Sequence, residues 1–531
     1  MKSLFVIASL VISTLPGFAQ TTIPSILWQH SLGGSLDDII LSSSQTRDGG
    51  YILAGYTNSN DGDITTGHHG GDTIPDVWIA RLHPDGSLAW SKTFGGTLDD
   101  EAQSIVQTSD GGFVFAGYSG SSDGDLTTNA GYYDGWIVKL DSLGLIVWKQ
   151  TFGGQGDDGL YSIKETSDQG FIVAGSSNSL GGDLAGLAHN GGYDGWVMKL
   201  SSTGTVQWKK TYGGNDDDEV FSIIQTSDGG YAFTGYTYSV SGSFSSNHGS
   251  EDLWVVKLNS LGVVQWQKLL GGTIDEEGNS IKQTSDGGYV IAGLSSSFDG
   301  DVTGQHSTID TTTDFWAIKL DQSGSKVWAL CYGGTDDDEA TAVTENADHG
   351  FIISGSTSSI DGDVTNQFGP PDYWVVRTDR NGLMLWQLSL GGSDSDFATS
   401  LVQNNDGSFI VAGYSQSTSG EVTGNHGGYD GWVVKLGDSV KGSVRPYQSI
   451  ANLQAVVYPN PIISRATFVL PNDILLPVSF SLYNMLGAEV QHSDEIISNS
   501  VVIDRGNLPA GIYQYQIIAS NGVLRGQIVI Q

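Results

Sequence analysis

Pairs of aspartates split by one glycine recur at Asp61/Asp63, Asp123/Asp125, Asp299/Asp301 and Asp361/Asp363. Such carboxylates suit Ca2+, a hard cation that takes about six to eight oxygen ligands. These eight residues are the candidate metal ligands, and Ca2+ is the one cofactor the sequence suggests. The DGD spacing lacks the rest of an EF-hand loop, so the same aspartates also read as caps on backbone N–H groups in tight loops. Acidic runs such as Asp99-Asp100-Glu101, Asp216 to Glu219 and Asp336 to Glu339 supply carboxylate pairs of the kind glycoside hydrolysis uses, yet none is singular. His69, His189, His248, His306 and His426 recur in polar loops and read as loop residues, since a zinc centre needs several to converge. Cys331 is the only cysteine and stands where other copies hold Thr93, Thr151 and Thr211, so it reads as a small packed residue. No Ser-His-Asp signature, P-loop or dinucleotide fingerprint is present, and no catalytic residue is assigned.

The elements that carry these residues repeat. Gly-Gly pairs begin at Gly33, Gly95, Gly153, Gly213, Gly271, Gly333 and Gly391, at steps of 58 to 62 residues. A Trp precedes each pair by five residues (Trp28 to Trp386), and a second recurs in Asp-x-Trp (Trp78 to Trp432), which accounts for all 14. A Trp buries about 150–250 Å2, worth about 4–6 kcal/mol as an upper figure, so the set reads as core anchors. Each copy holds four short β-branched and aromatic runs, in the fourth copy FSIIQT, YAFTGYT, LWVVKL and VVQW. SDGG-type turns join the first two, and no helical period appears. Even spacing of four-stranded antiparallel units predicts an all-β, seven-bladed β-propeller, with an open β-solenoid as the alternative. The last copy lacks its Trp-Gly-Gly strand, while a surplus one stands at Ile26–Leu32. Pairing of Ile26–Leu32 with Gly431–Leu436 would close the last blade and remove the open edge.

Inter-blade loops and DGD loops fall at one end of such a propeller and give it a strongly negative face, suited to a cationic partner. The longer first and fifth loops, Thr66–Pro75 and Gln305–Thr313, are the places for copy-specific recognition. The chain of 531 residues exceeds one ordinary core, and its net charge of −36 argues against nucleic acid. One cysteine excludes an internal disulfide framework. Lys2, the apolar stretch Leu4–Leu15 and Gly17-Phe18-Ala19 read as a signal peptide over residues 1–19, and no transmembrane segment follows. The repeats occupy 20–437, a polar linker 438–454, and a small Ig-like β-sandwich 455–531.

VYPNP (Val457–Pro461), SLYNMLGAEV (Ser481–Val490), LPAGIYQYQI (Leu508–Ile517) and the terminal GQIVIQ resemble the type A sorting domain of the type IX secretion system. The resemblance implies passage through the Bacteroidota outer membrane, the secretion machinery as partner, and removal of the domain by a sortase-like peptidase. Gln527 departs from the Lys that members often carry. The repeats resemble extracellular bacterial propeller repeats, closest in DGGYILAGYT and DVWIARLHPDGSL (Asp48–Leu88), and DSLGLIVW (Asp141–Trp148) resembles the docking-Trp pattern of quinoprotein propellers. Neither likeness implies a reaction. The sequence therefore reads as a secreted or cell-surface, noncatalytic propeller that binds or displays a protein, glycan or cation. A carbohydrate-active hydrolase or lyase is the alternative, marked by one carboxylate pair unlike its counterparts.

Overall fold

The β-rich runs fold into sheets whose second and third strands are buried along nearly their whole length. The computed structural model describes residues 23–437, apart from 66, 68–70, 72, 127, 190, 242–246, 307–311 and 405, and residues 456–531, apart from 471–477, 485–488, 497, 499, 507, 520 and 521. The signal-peptide region 1–19, the linker 438–454, His69 and parts of both longer loops lie outside these residues. The chain divides into two compact units, within 1–439 and 440–531. Among the described residues the one helical element is a short 3-10 turn at Gly182–Leu184.

The first unit holds seven four-stranded antiparallel sheets. Sheet one comprises Asp38–Gln45, Tyr51–Thr57, Asp76–Leu82 and Leu88–Phe94, in chain order. Sheets two to six repeat that order, with first strands Asp100–Gln107, Asp158–Glu165, Asp218–Gln225, Glu276–Gln283 and Asp338–Glu345. Sheet seven takes Asp396–Gln403, Phe409–Ser415 and Asp430–Gly437, and its outer strand is Ser25–Leu32 from the other end of the unit. There Ile26 faces Leu436, His30 faces Val433 and Leu32 faces Gly431.

Hydrophobic packing links the sheets in succession. The second Trp of every copy, from Trp78 to Trp432, is at most 1% exposed. The first Trp packs instead on the next sheet, with ring centroids 5.9 Å apart in Trp28–Tyr51, 6.0 Å in Trp90–Phe113 and 5.6 Å in Trp266–Tyr289. Ile410, Ala412 and Val433 of sheet seven share one core cluster with Tyr51, Leu53 and Trp78 of sheet one, so sheet one is covered by sheet seven.

The SDGG turn is fixed by charge as well as shape. A cation on each third strand runs beneath the turn to its aspartate, as in Lys139–Asp110 at 3.0 Å, Lys257–Asp228 at 2.9 Å and Arg377–Asp348 at 2.5 Å. The second glycine leaves room for this cation: a Cβ on Gly112 would lie 2.3 Å from Leu140 O and 2.5 Å from Lys139 Nζ, and in the seventh copy, where Ser408 takes that place, the Lys435–Asp406 pair is longer, at 3.8 Å.

In the second unit one sheet orders Val456–Tyr458, Arg465–Val469 and Ser500–Asp504, and another orders Glu489–Ile496, Val478–Tyr483, Gly511–Ala519 and Gly522–Ile530. Phe468 of the first and Phe480, Tyr515 and Ile528 of the second share one core. Asn460 of the PNP motif accepts from Val529 N at 2.9 Å and pins the last strand.

Removing residues 24–32 strips Ile26, Trp28 and Leu32 from the clusters at the junction of sheets six, seven and one. At about 1.5–3 kcal/mol per buried apolar side chain, the loss is about 5 kcal/mol or more. We expect the deletion to lower the melting temperature of the whole first unit in a single transition. A local loss confined to sheet seven, with the other sheets melting as before, would contradict this.

Candidate functional site: the central cavity

The first strand of each sheet carries a one-residue bulge at its fourth position, visible as register shifts at Ile40/Ser42, Ala102/Ser104, Leu160/Ser162, Val220/Ser222, Gly278/Ser280, Ala340/Ala342 and Ala398/Ser400. A bulge re-aims one side chain without ending the ladder. The seven bulged residues are Leu41, Gln103, Tyr161, Phe221, Asn279, Thr341 and Thr399, and all line one cavity of about 450 Å3 bounded by the first strands of all seven sheets. The residue after each bulge ties the strands together. Ser42, Ser104, Ser162, Ser222, Ser280 and Ser400 accept from the backbone N–H of the following sheet at 3.0–3.4 Å. Ala342 interrupts the series, and there the Thr341 hydroxyl donates to Ala398 O at 2.8 Å.

The cavity wall is polar, and among the described residues that line it none is a carboxylate and the charged side chains are Lys164 and Lys282. Neither ammonium has an ion-pair or hydrogen-bond partner among the described residues. Burial, and then the charge of Lys282, lower Lys164 to about 7; burial lowers Lys282 as well. Glutamates stand two positions before the bulge at Glu101, Glu219, Glu277 and Glu339. Burial first, then the charge of Glu219, pushes the Tyr161 hydroxyl up to about 12. Aromatic rings cluster nearby: Tyr161–Phe221 centroids are 5.8 Å apart and Phe221–Tyr236 5.6 Å, and Tyr236 donates to Glu219 at 2.8 Å.

One carboxylate pair breaks the repeat. Glu251 stands where other copies have Pro75, Tyr133, Tyr193, Thr313, Pro371 and Tyr429. It is 5% exposed, and burial first, then the charge of Glu277, raise its carboxyl well above the usual range. Sequence reading missed this pair because its two members lie in different copies. It also missed Tyr161, Phe221 and the two lysines. The available signal was a single column of the repeat that differs between copies whose other columns agree.

The eight DGD aspartates sit where the DGD loop meets the Gly-Gly loop. Asp61 accepts from Ser35 N at 2.7 Å, Asp123 from Thr97 N at 2.9 Å, Asp299 from Thr273 N at 2.8 Å and Asp361 from Thr335 N at 2.8 Å. Asp63 and Asp125 accept from Gly33 N and Gly95 N at 3.2 and 3.3 Å. Asp301 pairs with Lys326, and Asp363 lies 3.5 Å from His306 Nε2. Among the described residues no group of three or more His, Cys, Asp or Glu is disposed to hold a metal ion. His248, His306 and His426 each contact the aspartate that opens a third strand, at 3.1, 2.8 and 2.7 Å. Cys331 is buried, and burial raises its thiol well above the usual range.

Residues 456–531 match the family described as the secretion system C-terminal sorting domain. They are the type IX sorting domain that VYPNP and LPAGIYQYQI resemble, and they mark the protein for export to the cell surface or release from it. No described helix is long and apolar enough to cross a membrane. Among curated proteins the chain is 28% identical over 178 residues to the regulatory protein FlaEY of Caulobacter vibrioides, covering 32% of this chain and 18% of that protein. It is 19% identical over 457 residues to the uncharacterized WD repeat-containing protein L264 of Acanthamoeba polyphaga mimivirus, covering 65% of this chain and 32% of that protein. The chain thus spans less than a third of either relative's own length. Among solved structures, puromycin hydrolase aligns at 12% identity and a TM-score of 0.40, covering 84% of this chain and 60% of that one. Cobalt-substituted Synechocystis ACO aligns at 11% identity and a TM-score of 0.36, covering 74% and 89%. Likeness at that level leaves the architecture resting on the strand pairing above.

Each first strand opens on a buried acid. Asp38 accepts from Gly34 N at 2.6 Å, from Ser59 Oγ at 2.9 Å and from Thr57 Oγ1. A second buried acid, from the neighbouring sheet's third strand, converges on it: a Cβ on Gly153 would lie 2.4 Å from Asp134 Oδ1 and 2.6 Å from Asp158 Oδ2. Burial is the largest cause that lifts Asp38, Asp100 and Asp218 to about 6 and Asp338 and Asp372 to about 7, against the hydrogen bonds they accept. Their folded values exceed the unfolded one, so their contribution to stability is complete below about pH 4 and is lost as pH rises through about 6 to 7. The turn aspartates behave oppositely. Burial works to raise Asp110, Asp228 and Asp286, but hydroxyl and amide donors and the lysine beneath outweigh it and hold them at about 2. Their contribution is lost as pH falls from about 4 toward 2. We expect the first unit to melt highest near about pH 4–5 and lower at about pH 8, with Asp338→Asn flattening the slope between. A melting temperature that is level or rising from about pH 5 to 8 would refute the assignment.

Proposed function

We propose that the seven sheets are the blades of a seven-bladed β-propeller closed by its N-terminal strand, followed by an Ig-like sorting domain. On this reading the protein is a secreted or cell-surface binding module whose ligand enters the central cavity. The observation that carries this is the bulge column. Leu41, Gln103, Tyr161, Phe221, Asn279, Thr341 and Thr399 differ widely, while the buried acids, the Trp pair and the turn aspartates around them recur in nearly every copy. Structural constraint is uniform around the ring; recognition of one small ligand is not. A cavity of about 450 Å3 falls in the range of about 300–1,000 Å3 used for small ligands. Tyr161 and Phe221 offer aromatic surface beside hydroxyl and amide groups, a combination suited to a sugar or a sugar-like polyol.

A screen of the mature protein against a glycan array tests this. We expect hits that weaken about tenfold or more in Tyr161→Ala with Phe221→Ala, with the melting temperature retained. Binding that is unchanged in that variant would move the site elsewhere.

A second reading, hydrolysis or lysis of a carbohydrate, is favoured only by the Glu251–Glu277 pair, since a carboxyl kept protonated by its surroundings is suited to general-acid work. That reading requires Glu251→Gln to abolish depolymerisation of a polysaccharide that the unaltered protein cleaves. Absence of cleavage by the unaltered protein across a polysaccharide panel, with glycan binding intact, would retire it.

A further inference from the structure

The chain carries 59 acidic and 23 basic residues, yet the central cavity shows the reverse balance. Among the described residues its charged lining is two lysines, Lys164 in sheet three and Lys282 in sheet five, with no carboxylate. Four other lysines of this unit have structural partners. Lys139, Lys199, Lys257 and Lys319 each hold a turn aspartate at 2.9–3.0 Å and a backbone carbonyl besides. The two cavity lysines have no such use. They occupy the same strand position, which is Ser44, Val106, Ile224, Thr344 and Val402 in the other sheets, so the fold does not require a cation there. Lys164 is surrounded by protein with part of its length open to the cavity, and the like charge of Lys282 disfavours its protonated form. Two ammonium groups on one cavity wall, with no counter-charge among the described lining residues, are an unfavourable arrangement that an anion between them would relieve.

We propose that the central cavity binds a polyhydroxylated organic anion. Its carboxylate or sulfate group would lie between Lys164 and Lys282, and its hydroxyl-bearing remainder against Asn279, Gln103 and the Tyr161 ring. The proposal rests on the reading of the cavity as the ligand site. The hydroxyl, amide and aromatic groups select the polyol, and the two ammoniums select the charge. Nucleic-acid polymers, which would set many phosphates against a chain of net charge −36, are disfavoured.

Calorimetry on the mature full-length protein with glucuronate, glucose 6-sulfate and glucose as probes tests the inference. We expect either anion to bind about tenfold or more tightly than glucose, and the preference to vanish in Lys164→Met with Lys282→Met. A second readout is specific to the lysines. Because Lys164 titrates near 7, anion binding at pH 7 should take up about half a proton, read as a dependence of the heat on buffer ionisation enthalpy. Lys164→Met should abolish that uptake. Equal binding of glucose and glucuronate, both lost in Tyr161→Ala with Phe221→Ala, would overturn the anion assignment and leave the cavity as the site. Anion binding that survives both double variants would overturn the cavity itself. A double-methionine variant that melts higher and binds the anions as before would show that the lysines take no part. Inorganic sulfate serves as the control: binding as tight as glucose 6-sulfate would remove the polyol from the proposal.

Discussion

Every sheet of the first unit is apolar on both faces, and the rest of the structure follows from that. Strands such as Tyr289–Ser295 and Asp252–Leu258 are buried at each residue, so neither side of a sheet can face water. Each sheet therefore needs two neighbours, and any open row leaves two faces bare. The bare faces here would be those of Tyr51, Leu53 and Trp78 on one end and Ile410, Ala412 and Val433 on the other, which instead share a core cluster. Six such side chains are worth on the order of 10 kcal/mol as an upper figure, comparable to the whole stability of an ordinary domain. Closure also accounts for the outer strand of sheet seven, because among the described strands of the first unit Ser25–Leu32 alone stands outside the regular order of four.

The charge distribution is a second consequence. With few basic residues, the chain satisfies its loop amides with carboxylates. Asp61, Asp123, Asp299 and Asp361 accept from the N–H groups of Gly-Gly loops, and the acids that open the first strands accept from those same loops inside the core. A formal charge of −36 therefore overstates the field at neutral pH, since several of these buried acids titrate near 6 or 7. One cation per sheet lies under the first turn, where a buried ammonium or guanidinium pairs with an aspartate, as in Lys199–Asp168, Lys319–Asp286 and Arg377–Asp348.

Much of the architecture can be read from the sequence because its signals are local and repeated. The Trp and Gly-Gly spacing marks the strands, and the missing seventh Trp-Gly-Gly strand, set against the surplus Ile26–Leu32, points to the pairing found with Gly431–Leu436. The DGD aspartates are legible as loop caps by the known habit of Asp in turns. The cavity is not legible, for a geometric reason. Alternation along DGLYSIKE assigns Tyr161 and Ser162 to opposite faces, but the bulge at Leu160/Ser162 shifts the register, and only the partner strand reveals it. Glu251 and Glu277 are 26 positions apart and meet because neighbouring sheets pack.

The bulge also explains how one ring serves two ends. A re-aimed residue contributes nothing to the ladder, so strand pairing does not fix its side chain, and what occupies the site is left to other demands. On sheets five to seven those demands are partly structural: Asn279, Thr341 and Thr399 donate to carbonyls of the next sheet at 3.1, 2.8 and 2.8 Å. On sheets three and four they are not. The Tyr161 and Phe221 rings pack on each other, and Lys164, on the same cavity wall, has no ion-pair or hydrogen-bond partner among the described residues. A wall stitched on one side and furnished with a lysine and aromatic groups on the other is asymmetric where the scaffold is not. That asymmetry is the physical ground on which the proposal places recognition in this cavity and not on the DGD loops, whose aspartates accept loop N–H groups or lie beside a lysine or histidine.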